Sequence, residues 1–221
     1  MWHILLLLLF LFPFEPCVQA ANITKELESI TQLKDKTIAI SQLSKLLENK
    51  QLNATQRIEI LILQSRSYLS LSDLSNALQV TQQAHQLASQ GDLLLQLAQT
   101  EKLTGIIFYF QGQYDQSLSF YQRALSYFQK QPFSAEIAIK QANLLNNIAL
   151  VQTSQGSAVA ALKSYQQVDP LYQLYGDEVD KIDVRYNVAV LYISLRRFDI
   201  AISMLKEVMT KRQAIHDDYG V

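Results

Sequence analysis

Side chains that could act as catalysts or metal ligands are few in this 221-residue chain. The histidines are His3, His85 and His216, and the only cysteine is Cys17. A histidine acts as a general base or a ligand only when suitable partners lie nearby. No His-Glu-x-x-His, Cys-x-x-Cys or Gly-x-Gly-x-x-Gly motif occurs, and the acids at 177–180 and 217–218 lack the alternation of a calcium loop. The sequence therefore predicts no enzyme activity, no cofactor and no metal.

The most regular feature of the chain is a pattern that occurs four times. Its anchor positions are Ser72, Gly112, Gly156 and Arg196, which lie 40, 44 and 40 residues apart. Five residues after each anchor comes a small residue, namely Ala77, Ser117, Ala161 and Ala201. A period of roughly 20 to 50 residues is typical of a solenoid of stacked units. A plain helical bundle is the alternative, but its spacing would be irregular.

The elements that must carry this pattern are helices. Apolar residues recur at three- and four-residue spacing, and the chain has only 6 glycines and 4 prolines. Capping residues and breaks, such as Asn53, Gly91 and Pro132, separate the helical stretches. We predict a degenerate first repeat at 21–50 and then an array over 51–221, with helix hairpins at 55–90, 93–130, 134–174 and 179–215. The small residues are expected where the two helices of a hairpin cross.

One stretch of this array resembles a known repeat. The run Leu-Thr-Gly-Ile-Ile-Phe-Tyr-Phe-Gln-Gly-Gln-Tyr-Asp-Gln-Ser-Leu, which starts at Leu103, resembles the tetratricopeptide repeat, and residues 145–161 resemble its longer variant. The resemblance implies an all-α fold, a right-handed α-solenoid of about five antiparallel hairpins. The chain departs from the family at Glu101, where an aromatic residue is common, and at Ser72 and Arg196, which replace the turn glycine.

The resemblance also implies where a ligand would bind. In such solenoids the first helix of each hairpin lines a concave groove. Asn147 and Asn187 occupy the same offset in consecutive units, and asparagines at that place in the family can hold a peptide main chain. The alternative is that these amides contact neighbouring helices or water. The predicted groove residues are Arg66, Lys102, Tyr109, Asn143, Asn146, Asn147, Asp183, Tyr186 and Asn187. The chain lacks the paired lysine and asparagine spacing with which some family members hold a C-terminal carboxylate.

The N-terminal segment has the features of an export signal. An unbroken apolar run extends from Ile4 to Phe12, and Val18-Gln19-Ala20 offers small residues at a cleavage position. We therefore predict a signal peptide at 1–20 and a periplasmic or extracellular protein. A membrane anchor is the alternative, although a span needs roughly 18 or more apolar residues. Lipidation of Cys17 is a further alternative.

The charge balance restricts the partners. The chain has 19 basic and 20 acidic residues, so it lacks the basic footprint of a nucleic-acid or anionic-membrane binder. The predicted function is that of an exported, non-catalytic scaffold that binds a peptide or protein in its groove. The alternative is the periplasmic sensory module of a diguanylate cyclase or histidine kinase whose output domain lies outside this chain, and only then is a membrane involved. Residues 217–221 resemble the start of a further repeat, which predicts a longer protein or a covered end.

Overall fold

A computed structural model describes residues 15–215 of the chain, and side chains from residue 23 onward. The described part contains helices and no strands. The helices are α1 (Glu15–Thr31), α2 (Lys36–Leu47), α3 (Ala54–Ser70), α4 (Leu74–Gln90), α5 (Leu94–Phe110), α6 (Tyr114–Gln129), α7 (Ala135–Ser154), α8 (Ala158–Tyr175), α9 (Glu178–Ser194) and α10 (Phe198–Ala214). The predicted apolar signal run, His3, His216 and the acids at 217–218 lie outside the described residues.

The helices form five successive pairs that stack on one another, which confirms the predicted all-α solenoid. Each of the last four pairs packs most extensively within itself and then onto the next pair. Helices α3, α5, α7 and α9 also contact one another directly, whereas α4, α6, α8 and α10 have no comparable mutual contact. The odd-numbered layer is therefore the more closely spaced one, and the stack curves with this layer on its concave side. We call α3, α5, α7 and α9 the inner helices, and α4, α6, α8 and α10 the outer helices.

Small residues let the paired helices approach closely. Ala77, Ser117, Ala161 and Ala201 are all fully buried, so the positions predicted for the helix crossings are confirmed. Ser117 Oγ also donates a 2.7 Å hydrogen bond to the carbonyl oxygen of Gly105 on the facing helix. The hydroxyl is thereby satisfied in a place where an unpaired polar group would destabilise the fold.

The four anchor residues share one backbone conformation. Ser72 (φ 59°), Gly112 (φ 73°), Gly156 (φ 74°) and Arg196 (φ 57°) all lie in the left-handed region. The next amide in each case donates to a carbonyl near the end of the preceding helix, as in the 2.9 Å bond from Asp73 N to the Tyr68 oxygen. The turn is therefore retained at the two units that lack glycine, and this retention keeps the register of the array.

Glycine substitutions at these turns should reveal the strain. A non-glycine residue in the left-handed region costs about 1 kcal/mol, so we expect Ser72→Gly and Arg196→Gly each to raise the free energy of unfolding by about 0.5–1 kcal/mol. Gly112→Ala should lower it by a similar amount, because a Cβ there meets nothing within 4 Å and only the backbone is affected. Urea unfolding monitored by circular dichroism measures each change. An unchanged midpoint for Gly112→Ala would contradict this account.

Helix α1 begins earlier than the predicted first repeat, which was expected to start at residue 21. Pro16 lies in the first turn of α1, where its missing amide hydrogen is not needed by the helix. From Ile23 onward α1 packs its apolar side chains, including Leu27 and Ile30, against Ala39 and Leu43 of α2. The predicted cleavage after Ala20 falls within α1 and stays a prediction. Among the described helices, none has the length and hydropathy needed to cross a membrane.

Candidate binding groove on the inner helices

The nine residues predicted for the groove all lie on the inner helices. Each of them is at least partly exposed, so none serves only as core. They are distributed as Arg66 on α3, Lys102 and Tyr109 on α5, Asn143, Asn146 and Asn147 on α7, and Asp183, Tyr186 and Asn187 on α9. The inner surface thus carries amides and charges next to apolar side chains along four consecutive units.

The amides of α7 and α9 form the polar centre of this surface. Asn187 Nδ2 donates a 3.1 Å hydrogen bond to Asn146 Oδ1. Asn187 therefore pairs with the residue before Asn147 and not with Asn147, which occupies the equal offset. The hydroxyl of the buried Tyr172 on the outer helix α8 donates to Asn143 Oδ1, so this predicted groove residue contacts the other helix of its own hairpin. The Asn147 carboxamide makes no hydrogen bond with the described residues, and this side chain is only partly buried. A carboxamide has two donor hydrogens and an acceptor oxygen, so the Asn146–Asn187 pair still has an acceptor on Asn187 and donors on Asn146.

At the C-terminal end of the groove two predicted residues contact the outer helix. Arg212 of α10 donates a 2.7 Å hydrogen bond to Asp183 Oδ1, and its guanidinium lies 5.8 Å from the centre of the Tyr186 ring. Sequence reasoning missed Arg212. In the earlier units the same offset is occupied by the buried residues Ala88, Phe128 and Tyr172. A charged residue at an offset that is otherwise buried could have indicated that Arg212 has a partner. Asp183 therefore has a structural partner in addition to its position in the groove.

At the N-terminal end the groove is positively charged. Burial and the nearby charges of Arg66 and Lys140 lower the pKa of Lys102 to about 8. Lys140 was also missed, because its offset within its repeat differs from that of Lys102. Its ammonium lies 2.6 Å from Glu136 Oε1. In the described part of the chain, Lys102 has no carboxylate within 4 Å.

An aromatic group closes the edge of the groove near the turns. The Tyr109 hydroxyl lies 3.3 Å from Ser154 Oγ, which joins α5 to α7. The Tyr109 ring packs against the rings of Phe110 and Tyr114, with centres 5.6 and 5.8 Å away. Phe110 is 62% exposed, so part of this aromatic surface is open to a ligand.

The outer side of the array contains an ion pair between a buried carboxylate and a half-exposed arginine. Glu101 is 5% exposed, and its Oε2 accepts a 3.0 Å hydrogen bond from Arg123 Nε and lies 2.9 Å from Arg123 Nη2. His85 is partly buried, with Nδ1 4.0 Å from Glu101 Oε1 and 3.1 Å from Thr100 Oγ1. The departure at Glu101 thus has a structural explanation, because the carboxylate joins α5 to the outer helix α6. Over residues 15–215, no group of three or more His, Cys, Asp or Glu could hold a metal ion.

Comparison with known sequences identifies a repeat in the last hairpin. Residues 182–218 match the tetratricopeptide-repeat family model. No curated protein matches the chain. The matched segment covers most of α9 and all of α10, the hairpin in which Arg196 replaces the turn glycine.

Solved structures show the same architecture over nearly the whole chain. BtubC (BKLC) from P. vanneervenii has a TM-score of 0.71 and 16% identity, with 90% of this chain and 82% of that chain covered. A Rap protein complexed with competence and sporulation factor has a TM-score of 0.73 and 14% identity, with 89% and 54% covered. The nearly identical TPR-like repeats of a putative kinesin light chain from Podosopora anserina have a TM-score of 0.64 and 11% identity, with 89% and 96% covered. At these identities the similarity establishes the fold.

Proposed function

We propose that this chain, a tetratricopeptide-repeat protein, binds an extended peptide or a segment of a partner protein along its inner helices. The observation that carries the proposal is the amide group of α7 and α9. Asn147 has no partner within the described chain, and the bonded pair Asn146–Asn187 retains an acceptor and donors on the same surface. A peptide main chain presents N–H and C=O groups in alternation, and a carboxamide can satisfy both.

The neighbouring residues suit the same ligand. Apolar and aromatic side chains of the same inner helices, such as Ile106, Tyr109 and Leu145, are only partly buried and can contact the side chains of a bound segment. The fold is shared with a Rap protein that was solved with competence and sporulation factor, which supports a role in binding. The chain spans about half of that protein (54%), so its whole activity is not transferred to this chain.

We also propose that binding takes place outside the cytoplasm, after removal of residues 1–20. The support is the apolar run from Ile4 to Phe12 followed by Val18-Gln19-Ala20. Detection of a mature N-terminus at Ala21 by mass spectrometry of the exported protein would test this. A protein that retains residues 1–20 in its mature form would refute it.

A sensory role is the second candidate, and the last hairpin favours it. Phe198, Ile202 and Met209 are about half exposed, whereas the residues at the same offsets in the third hairpin, Tyr114, Leu118 and Leu125, pack beside α7. The exposed face of α10 therefore carries apolar residues at the offsets with which α6 contacts the next hairpin. A ligand that changed the curvature of the array would change what this face presents. An unchanged radius of gyration in small-angle scattering with and without bound peptide would argue against such a sensor.

The groove is tested by replacing its amides. Peptides are selected on the parent protein from a random display library. We expect Asn147→Ala/Asn187→Ala to weaken their binding by about tenfold or more, because two or more hydrogen bonds between uncharged groups are lost. The matched control is Gln83→Ala/Gln122→Ala, which removes two exposed amides from the outer helices α4 and α6. Calorimetric titration measures the dissociation constants.

The same double variant distinguishes a binding role from a packing role. Removing Asn187 leaves Asn146 Oδ1 without its partner, but both side chains are partly exposed and water can replace the lost bond. We therefore expect a nearly unchanged unfolding midpoint. Unchanged peptide affinity would refute the proposed groove, and loss of the helical fold would show that the amides serve packing instead.

A further inference from the structure

A small cavity lies on the outer side of the array, where the outer helices α4 and α6 flank the inner helix α5. The two outer helices make no extensive contact with each other, so a gap remains between them. This gap contains a cavity of about 300 Å³, lined by residues of all three helices. Small-molecule sites in proteins have volumes of roughly 300–1,000 Å³, so the cavity is large enough for a small ring-containing molecule.

The apolar walls of the cavity are held in place by contacts with one another. Leu78 of α4, Phe108 of α5 and Phe120 of α6 line this part, and each side chain is partly exposed. The rings of Phe108 and Phe120 are stacked, with centres 5.0 Å apart and planes inclined by 10°. The guanidinium carbon of Arg123 lies 4.2 Å from the centre of the Phe120 ring. An apolar ring can therefore pack against walls that are already formed.

The polar part of the cavity contains a carboxylate oxygen without a hydrogen bond. Glu101 lines the cavity and is 5% exposed, and its Oε2 accepts the 3.0 Å bond from Arg123 Nε. Its Oε1 lies 4.0 Å from His85 Nδ1, and it makes no hydrogen bond with the described residues. His85 Nδ1 is instead 3.1 Å from Thr100 Oγ1. Because buried polar atoms are normally hydrogen-bonded, Oε1 is a position for a donor from a ligand.

The charges around this oxygen indicate an uncharged ligand. Glu101 and Arg123 compensate each other, so a charged ligand would lose its hydration without meeting a net opposite charge. A carboxylate would also offer no hydrogen to Glu101 Oε1. A carboxamide has both parts that are needed, because its N–H can donate to Glu101 and its carbonyl can accept from the half-exposed Arg123 guanidinium.

The polar pair of this cavity differs from the residues at the same offsets in later units. The next unit has Leu145 and Gln167 there, and Leu145 packs against the core. The last hairpin has Arg185 and Glu207, which are both well exposed. In the described repeats from α5 onward, a buried carboxylate beside stacked aromatic walls therefore occurs only in the gap between α4 and α6.

We propose that this cavity binds a small uncharged molecule in which a carboxamide or lactam group is attached to an apolar ring. The ring packs against Leu78 and Phe108, the N–H group donates to Glu101 Oε1, and the carbonyl oxygen accepts from Arg123. This site is on the outer side of α5, whereas the groove residues Lys102 and Tyr109 are on its inner side. Binding in the cavity does not depend on a peptide in the groove.

Three test compounds of the same shape separate the charge of the ligand from its size. Benzamide, benzoate and benzamidinium are titrated into the ¹⁵N-labelled protein at neutral pH, and the shifts of the backbone amides and of the Arg123 Nε–H group are followed by NMR. We expect benzamide to bind with a dissociation constant on the order of millimolar, as suits a ligand of so few atoms. It should bind about tenfold more tightly than either charged compound and shift signals of α4, α5 and α6.

Two variants and a control identify the groups that make the contacts. Glu101→Gln removes the negative charge, and the half-exposed Arg123 can then be solvated by water, so the helical fold should be retained. Benzoate should bind this variant more tightly than benzamide, because Arg123 has lost its anion. Leu78→Trp fills the cavity and should abolish binding of all three compounds. Glu207→Gln, which removes the acid of the exposed pair in the last hairpin, should behave like the parent.

Several results would overturn the inference. These are an absence of shifts around the cavity at high benzamide concentration, binding of benzoate or benzamidinium to the parent as tight as that of benzamide, and an unchanged preference in Glu101→Gln. If Glu101→Gln failed to fold, Leu78→Trp would decide the matter, since benzamide binding that persists with a filled cavity would place the ligand elsewhere.

Discussion

Replacing Gly105 with alanine should destabilise the protein by about 2–3 kcal/mol, although alanine is the better helix former by about 1 kcal/mol. Gly105 lies inside α5, where the Tyr121 ring of α6 packs directly against its backbone. A Cβ at this position would lie 2.5 Å from both Cδ1 and Cε1 of that ring. Tyr121 is 2% exposed, so the ring has no free space into which it can move. The two helices must separate, and packing in the centre of the array is lost.

Urea unfolding of Gly105→Ala measures the loss, and a double-mutant cycle identifies its cause. Tyr121→Leu removes the ring and should itself destabilise the fold through a cavity. If the clash is the cause, the double variant will be less destabilised than the sum of the two single variants. A Gly105→Ala protein that is more stable than the parent would show that helix propensity outweighs the contact, and our description of this interface would be wrong.

Replacing Arg123 with methionine should destabilise the protein by about 2–4 kcal/mol, because it leaves the buried Glu101 carboxylate without its partner. Arg123 Nε donates a hydrogen bond to Glu101 Oε2, and Arg123 Nη2 lies 2.9 Å from the same oxygen. The guanidinium carbon also lies 4.2 Å from the centre of the Phe120 ring, a contact that contributes less. Calorimetric or urea unfolding at neutral pH measures the effect.

Two further variants control for the loss of a surface charge. Arg185→Met removes a similar pair with Glu207, but both partners are well exposed, and the expected loss is about 1 kcal/mol or less. Glu101→Leu/Arg123→Met removes both charges and should recover most of the stability, since no buried carboxylate remains. If Arg123→Met proved no more destabilising than Arg185→Met, the Glu101 carboxylate would have to be much more accessible to water than it is in this structure.

The fold could be predicted from the sequence because its repeat signals are local. The anchors set the turns, and the small residues five positions later set the helix crossings. Ser72 and Arg196 depart from the glycine pattern, yet both adopt the left-handed conformation of Gly112 and Gly156. The surrounding helices therefore impose the turn, and glycine only reduces its strain.

The site could be predicted less completely, because its contacts depend on how neighbouring helices are shifted. Equal offsets suggested that Asn147 and Asn187 act together, whereas Asn187 bonds to Asn146. Lys140 was missed for the same reason, because its charge lowers the pKa of Lys102 although the two residues occupy different offsets in their repeats. How far one helix is shifted along its neighbour depends on how the side chains of both helices pack, and the sequence of a single repeat does not specify it.

Contacts within hairpins follow a separation that the sequence does contain. The pairs Glu101–Arg123 and Arg185–Glu207 are both 22 residues apart, with the charges exchanged. Asn143–Tyr172 and Asp183–Arg212 are both 29 residues apart. Paired helices with the same turn bring the same separations together. A search for complementary residues at these two separations would have identified both Arg123 and Arg212.

Cross-linking can show whether a bound peptide lies along the inner helices. A selected peptide carrying one photoreactive benzoylphenylalanine is cross-linked to the parent protein, and mass spectrometry locates the attached residues. We expect cross-links in α5, α7 and α9, within 94–110, 135–154 and 178–194. Cross-links confined to the outer helices α4, α6 and α8 would contradict it.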